Sequence, residues 1–443
     1  MVRSQRQKRP EKAERLGVWF EAERVGSLRQ APDGAMEFRY DPTWLGNPAA
    51  FPVTSALPLA DRIWKGASAY AAFDNLLPDA EGELRARIAE RTAARGSDAY
   101  ALLSALGRDC VGALQFLPEG EAPGLPDMAA RPIEDEEIAR MLHGLAAAPL
   151  GLDQDDDFRI SIAGAQEKTA LLLRDGSWWK PLGGTPTSHI LKTPMGVLPG
   201  PDQIDLTDSV ENEAWCLQLA HEIGLPVTKA RIGAFDDAKA LIVERFDRRW
   251  ENGVLRRLPQ EDLCQALGVS SAQKYQRSGG PGMRDILRHL QESDDPASDR
   301  RIFLKAQIFF LLIGATDGHA KNFSLALGAQ GRFRLAPLYD ILSLAPVIDA
   351  GRLQRRRFRL AMSFDRHYGV DEILPRHIEA EAVAGGLPPG AALSLLRETC
   401  EAMPAALERT QADLGPVVPD VVKEPITRKA RDSAQQMLEL LDL

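Results

Sequence analysis

The chain has 443 residues, of which 44% are hydrophobic and 26% are charged, and its formal net charge is -9. A chain with this negative charge is not built to coat nucleic acid, so any such contact needs a local basic patch. The length exceeds what one hydrophobic core usually supports, and the ordinary composition predicts two or three globular domains.

Neither the cysteines nor the apolar runs point to secretion or to a membrane. The strongest apolar run, residues 308–314, is far shorter than the roughly 20 residues that a membrane span needs. No apolar signal-peptide core lies near Met1. The cysteines are far apart and lack metal-like spacing, which indicates free thiols in a reducing compartment: Cys110, Cys216, Cys264 and Cys400. We expect a cytoplasmic protein.

The first third of the chain predicts a tail and a small mixed domain. Six basic residues within 1–15 predict a basic disordered tail. A first α/β domain is predicted over 16–125, and the segment 118–132, rich in proline, glycine and acidic residues, marks its boundary. Its predicted elements are two strands, a helix and a last strand: 18–20, 36–40, 83–93 and 112–117.

After an amphipathic helix predicted over 133–147, the pattern changes at residue 159 to strand, turn and strand. A strand-rich part is predicted over 150–255 and a largely helical part over 256–443, which together make an α+β chain. The elements predicted in the strand-rich part are four strands and one helix: 160–162, 169–173, 189–192, 240–246 and 211–222.

The segment 314–323 follows the strongest apolar run and places Asp317 and Asn322 five positions apart. Protein kinases use this spacing in their catalytic loop, where the Asp faces the attacking hydroxyl and the Asn holds a metal. A capping or turn role for Asp317 is the alternative. Asp340 ends the apolar segment 336–340, eighteen positions after Asn322, which leaves room for a hairpin. A carboxylate there suits Mg²⁺.

Three further segments supply candidate nucleotide contacts. In 163–168, Gly164 stands between small residues, so that backbone amides can approach phosphate oxygens, although a plain hairpin turn is the alternative. Lys192 ends an apolar strand and needs an anionic partner there, unless it is a surface lysine at a strand end. Either Glu213 or Glu211 could be its partner. Residues 244–246 reach a loop suited to adenine, or form a charged linker.

Taken together, these residues resemble HipA-type serine/threonine kinases, the toxins of bacterial type II toxin–antitoxin pairs. The resemblance covers nearly the whole chain. In the first domain it depends on residues 25–26, 73–79 and 106–113. In the second part it depends on residues 161–169, 185–192, 243–248, 258–262, 314–323 and 339–340.

The resemblance implies a small mixed α/β N-terminal domain followed by a two-lobed protein-kinase-like domain whose C-terminal lobe is largely helical. It implies ATP and Mg²⁺ as cofactors, Asp317 as the catalytic residue, and Asn322 and Asp340 as metal ligands. Ser161 would be a self-inactivating autophosphorylation site. The nucleotide would be bordered by Ala163, Gly164, Ala165, Gln166, Glu167, Lys168, Lys192, Glu244, Arg245, Phe246, His319, Lys321, Asn322, Tyr339 and Asp340.

The resemblance also implies a HipB-like helix-turn-helix antitoxin as partner and an aminoacyl-tRNA synthetase as the phosphorylated target, with growth arrest as the outcome. Operator DNA would be reached mainly through the antitoxin, because the helix predicted at 378–383 is acidic. The basic run 355–357 would bind phosphates or the antitoxin, or form a solvated loop. The alternatives are a catalytically weak co-repressor that holds an antitoxin on DNA, and a small-molecule kinase.

Overall fold

The computed structural model describes residues 15–79, 83–124, 128–145, 148–152, 160–163, 166–197 and 204–443. Within these ranges, no helix is both long and apolar enough to cross a membrane. The chain combines a five-stranded sheet, a six-stranded sheet and a large helical part, which confirms the predicted α+β class.

The first domain is an antiparallel sheet with strand order β4-β3-β2-β1-β5, covered by short helices. Strand β3 alternates between inward Met36, Phe38 and Tyr40 and outward polar residues, which is the pattern of a half-buried strand. The bounds are β1 Arg15–Phe20, β2 Glu23–Gln30, β3 Met36–Tyr40, α1 Pro42–Leu45, β4 Ile63–Lys65, α2 Ala67–Asp74, α3 Leu84–Arg91, α4 Ala99–Leu106 and β5 Leu114–Pro118.

The middle of the chain forms a second sheet with strand order β12-β13-β9-β7-β8-β6, and helices α5 and α6 pack on it. Its central strands are apolar and buried, as expected for strands covered on both faces. The bounds are β6 Ala130–Pro132, α5 Asp135–Gly144, β7 Lys168–Arg174, β8 Ser177–Pro181, β9 His189–Lys192, β10 Gly196–Val197, β11 Asp205–Leu206, α6 Ser209–Glu222, β12 Ala230–Phe235 and β13 Ala238–Glu244.

The last part is largely helical and is built around α9. Asp295 caps this helix by accepting a hydrogen bond from the Ser298 amide, and every residue from Phe303 to Ile313 is buried. The bounds are β14 Arg248–Glu251, β15 Val254–Arg257, β16 Gln260–Asp262, α7 Leu263–Ala266, α8 Met283–His289, α9 Pro296–Ile313, β17 Ser324–Leu327, β18 Phe333–Leu335, α10 Ala345–Asp349, β19 Arg359–Phe364, β20 His367–Gly369, α11 Pro375–Ala384, α12 Ala391–Leu414 and α13 Asp420–Leu441.

The structure differs from the sequence prediction in three places. Residues 160–162 are not a strand. All three are buried, and they pack against the first domain, where the Ser161 amide donates to the Asp109 carbonyl at 2.9 Å. Arg15 is the first residue of β1, not the end of a tail, and residues 1–14 lie outside the described ranges. Strand β6 lies within the predicted boundary segment, yet it pairs with β8 of the second sheet.

A buried cluster of charges joins the first domain to the rest of the chain. The carboxylate of Asp109, from the first domain, accepts hydrogen bonds from Arg248 at 2.8 Å, Arg257 at 3.2 Å and Arg245 at 3.3 Å. Arg245 also pairs with Asp247 at 2.7 Å. Burial alone would raise the pKa of Asp109, but the three arginines hold it well below its usual range. Since the charges are paired and hydrogen-bonded, their burial is tolerated.

Candidate functional site

A cleft of about 400 Å³ lies between the second sheet and the helical part, and Asp79 of the first domain also lines it. Its walls carry ionisable side chains from several elements, among them Lys168, Lys192, Asp317 and Asp340. Clefts that combine an apolar wall with a few convergent charged groups are the usual form of a ligand site.

The loop after α9 places Asp317 at the cleft. Gly314 ends the helix with φ of 71°, and a Cβ there would lie 2.0 Å from the ring of Phe358, so only glycine fits. The side-chain amide of Asn322 donates to the main-chain carbonyl of Asp317 at 2.8 Å and closes the loop. The Asp317 carboxylate is half-exposed and accepts from the Tyr275 hydroxyl at 2.6 Å. A proton-accepting group is therefore held at the cleft by a closed loop.

Lys192, which also lines the cleft, bridges two carboxylates. Its Nζ lies 2.7 Å from Glu213 Oε1 on α6 and 2.8 Å from Asp340 Oδ1. Glu211 pairs with Lys239 instead. The partner of Lys192, for which the sequence left both glutamates open, is therefore Glu213. Burial alone would lower the pKa of Lys192, but Asp340 and Glu213 raise it above its ordinary value, so the ammonium stays charged.

Asp340 adopts φ of 59°, a left-handed conformation that is costly for a residue with a Cβ and that recurs at functional sites. Burial would raise its pKa, but Lys192 and Lys168 lower it well below the usual range. The hairpin expected between Asn322 and Asp340 is formed by β17 and β18. A charged carboxylate and an amide oxygen on one cleft are ligands that fit Mg²⁺ together with phosphate oxygens.

The predicted phosphate loop is described only in part, because Gly164 and Ala165 lie outside the described residues. Ala163, Gln166 and Lys168 line the cleft, and Glu167 lies exposed beside them. The Lys168 ammonium donates to the Ala163 carbonyl at 2.6 Å, which holds the start of the loop. Burial, with the nearby charge of Lys192, lowers the pKa of Lys168 to about 8. A phosphate beside it would restore the charge.

Part of the cleft lining is aromatic. Phe246 and Tyr339 stack with their ring centroids 5.8 Å apart, and the Glu244 side chain is exposed at the rim. The guanidinium of Arg245 lies in the buried cluster with Asp109, so that side chain is committed to structure. Two flat rings on the cleft suit a planar base.

His319 and Lys321 lie in the same loop as Asp317 and Asn322. His319 is buried, its pKa is lowered by that burial, and its Nδ1 has no hydrogen-bond partner among the described residues. A buried nitrogen of this kind needs a partner, and a bound ligand would supply one. The Lys321 ammonium instead donates to Asn75 of the first domain and to Asp262. Contact of Lys321 with a nucleotide stays a prediction.

Four residues at the site were not selected from the sequence. Tyr275 bonds to Asp317 and packs edge-on against His319, with centroids 4.9 Å apart. Its neighbour Lys274 pairs with Asp79 at 2.6 Å. Asn75 accepts from Lys321. Asn75 and Asp79 lie within the segment 73–79 on which the resemblance depends, so that segment could have indicated them as site residues. Lys274 and Tyr275 lie in no sequence pattern that points to the site.

The fold and the cleft define a kinase-like protein. A family model described as the HipA-like C-terminal domain matches residues 160–407, and one described as the HipA N-terminal domain matches residues 16–117. The chain belongs to the HipA family of serine/threonine kinase toxins.

Individual relatives agree with this assignment. The serine/threonine-protein kinase toxin HipA of Shewanella oneidensis is 30% identical over 386 residues, covering 84% of each chain. Protein Y4mE of Sinorhizobium fredii, provisionally named a kinase, is 38% identical over 74% of this chain and 77% of its own. A solved structure of the S. oneidensis HipA with HipB and its operator DNA superposes with a TM-score of 0.80, at 25% identity, covering 96% of this chain and 98% of that one.

Proposed function

We propose that this chain is an ATP- and Mg²⁺-dependent protein serine/threonine kinase. The observation that carries the proposal is that Lys192 bridges Glu213 and Asp340, while Asp317 and Asn322 line the same cleft. Phosphoryl transfer needs a cation for the phosphates, oxygen ligands for a metal and a carboxylate at the acceptor, and this cleft offers each of them.

In this mechanism Asp317 accepts the proton of the attacking hydroxyl, and its closed loop keeps the carboxylate aimed at the cleft. Lys192 and Lys168 stabilise the phosphates, and the rings of Phe246 and Tyr339 border the base. Mg²⁺, when held by Asn322 and Asp340, would supply positive charge to the transferring phosphoryl group. The hydrogen bond from the Tyr275 hydroxyl to Asp317 has to break when the hydroxyl that accepts the phosphoryl group binds there.

Replacing Glu213 by Gln is expected to lower kcat/KM for ATP by about 10- to 100-fold, because Lys192 loses a charge-assisted hydrogen bond. Steady-state kinetics with purified protein measures the effect. Glu211→Gln is the matched control, since it lies on the same helix but pairs with Lys239. Equal losses in the two variants would contradict a specific role for Glu213.

The same proposal covers the toxin function. Growth arrest would follow phosphorylation of an aminoacyl-tRNA synthetase, and a HipB-like antitoxin would neutralise the chain on operator DNA. The support is family membership and the likeness to a HipA that was solved with HipB and operator DNA. Phosphoproteomics after brief expression, with Asp317→Asn as the control, names the target, and the absence of any phosphorylated synthetase would overturn this choice of target.

Ser161 would be the self-inactivating site. Its hydroxyl is fully buried and donates to the Leu76 carbonyl at 2.8 Å, so it must leave this place before it can accept a phosphoryl group. A phosphate of nearly two negative charges cannot return to a buried position without a cation. The loop that begins at Ala163 would then stay away from the cleft.

Incubation with ATP and Mg²⁺ is expected to label Ser161, and the label is located by mass spectrometry of proteolytic peptides. Because the serine must first be released, labelling should be slow and should accompany a loss of activity toward other substrates. Ser161→Ala should keep its activity throughout. Loss of activity in Ser161→Ala at the same pace would contradict self-inactivation at this residue.

A catalytically weak co-repressor is the second candidate, favoured by the HipB and operator DNA that the S. oneidensis HipA structure contains. Helix α11 is acidic at Glu379 and Glu381, and Glu381 pairs with Arg284, so this helix does not offer a basic face to DNA. Tight antitoxin binding with no effect of expression on growth would favour the co-repressor.

A further inference from the structure

A short segment of the first domain, residues 74–79, reaches into the kinase-like part at several points. Four of its residues form hydrogen bonds there: Asp74 with Ser271, Asn75 with Lys321, Leu76 with Ser161, and Asp79 with Lys274. This interdomain segment therefore contacts the start of the phosphate loop, the catalytic loop and the loop that carries Tyr275.

In the contact with the catalytic loop, Asn75 accepts two hydrogen bonds from one ammonium. The Lys321 ammonium donates to the Asn75 carbonyl at 2.7 Å, to Asn75 Oδ1 at 2.9 Å and to Asp262 Oδ2 at 3.0 Å. An ammonium has three donors, so these acceptors can use all of them. Lys321 is buried, and a loss of partners would leave a charge in the interior.

Asn75 is suited to hold a cation because it is the C-cap of α2. The carbonyl groups at a helix C-terminus lack intrahelical donors, and the helix dipole places partial negative charge there. The Asn75 side chain is itself held, since its Nδ2 donates to the Ala71 carbonyl at 2.9 Å and to the Val269 carbonyl at 3.0 Å. The acceptor therefore sits on a rigid element.

Lys321 is placed to transmit this rigidity to the reacting groups. It immediately precedes Asn322, whose amide closes the loop on the Asp317 carbonyl. We propose that Asn75 is a positioning residue for phosphoryl transfer, which holds Asp317 and Asn322 in place through Lys321. This inference rests on the proposed kinase function. It means that the first domain supplies a residue that positions the catalytic loop.

Two substitutions at one position separate this role from general stability. Asn75→Ala and Asn75→Asp both remove the Nδ2 donor to Val269 and both keep the main-chain carbonyl, but only Asp keeps a side-chain oxygen for Lys321. The Ala variant is expected to lose about 10- to 100-fold in kcat with little change in KM for ATP, because the reacting groups are misplaced. The Asp variant should recover most of kcat.

Hydrogen exchange of the amides in 315–323 gives a readout that does not need catalysis. Exchange there should be faster in Asn75→Ala than in the unmodified chain. In Asn75→Asp it should be slower than in Asn75→Ala. Gln330→Ala is the control at the same domain interface, because its amide bonds to the Asn47 and Pro48 carbonyls away from this loop. It should change neither kcat nor the exchange.

Unchanged loop exchange in Asn75→Ala, or equal losses of kcat in both Asn75 variants, would overturn the positioning role. An absence of phosphoryl transfer in the unmodified chain would instead count against the kinase function. The exchange measurement would still decide whether Asn75 orders the loop, so the two failures are distinguishable.

Discussion

Replacing Asp317 by Asn is expected to lower the rate of phosphoryl transfer by about 100- to 10,000-fold, because an amide cannot accept the proton of the attacking hydroxyl. The loop should keep its shape, since Asn322 bonds to the backbone carbonyl at 317 and not to the side chain. Transfer of labelled phosphate from ATP, to the chain itself and to a general acceptor protein, measures the rate.

The control is Asp294→Asn, which changes an exposed surface pair with Arg332. Binding of ATP with Mg²⁺, measured by calorimetry, should be nearly the same in both variants and in the unmodified chain. Full labelling by Asp317→Asn would remove Asp317 from the catalytic role. A joint loss of transfer and of nucleotide binding would instead indicate a damaged cleft.

The largest effect on stability is expected at Asp109. Asp109→Ala leaves Arg245, Arg248 and Arg257 buried without their shared carboxylate, and breaking a buried charge network in this way costs about 3–5 kcal/mol. Urea unfolding followed by tryptophan fluorescence measures the free energy of unfolding. The first domain should also separate from the kinase-like part at a lower urea concentration, because Asp109 links it to all three arginines.

Asp61→Ala is the matched control for this experiment. Asp61 pairs with Arg39 at 2.8 Å on the exposed surface of the same domain, where ion pairs contribute about 0–1 kcal/mol. A loss of stability at Asp109 no larger than that at Asp61 would show that the cluster tolerates an unpaired arginine, through water or through the remaining Asp247.

The sequence was sufficient for features whose signal is local. The apolar strand that ends at Lys192, the helix that carries Glu213, and the Asp at the end of a hairpin each follow from short patterns. Even there, spacing alone could not choose between Glu213 and Glu211. The choice depends on which side of α6 faces β9, and that is fixed by tertiary packing.

Local sequence patterns could not predict the contacts between the domains. Asn75 and Lys321 are 246 positions apart, and Asp109 and Arg248 are 139 apart, so no periodicity connects them. The segment 160–162 was misassigned for the same reason. Its buried side chains pack against the first domain. An alternating apolar pattern predicts a strand, but the strand forms only where a neighbouring strand pairs with it.

The charge cluster around Asp109 has a consequence for how the two family domains can be recombined. Asp109 is contributed by one domain and the arginines by the other, so the two sides of this contact are complementary in charge. A chimaera that takes its first domain from another member of the family would fold with this kinase-like part only where the incoming domain brings a carboxylate to the same place. The two halves therefore behave as a matched pair, and not as interchangeable modules.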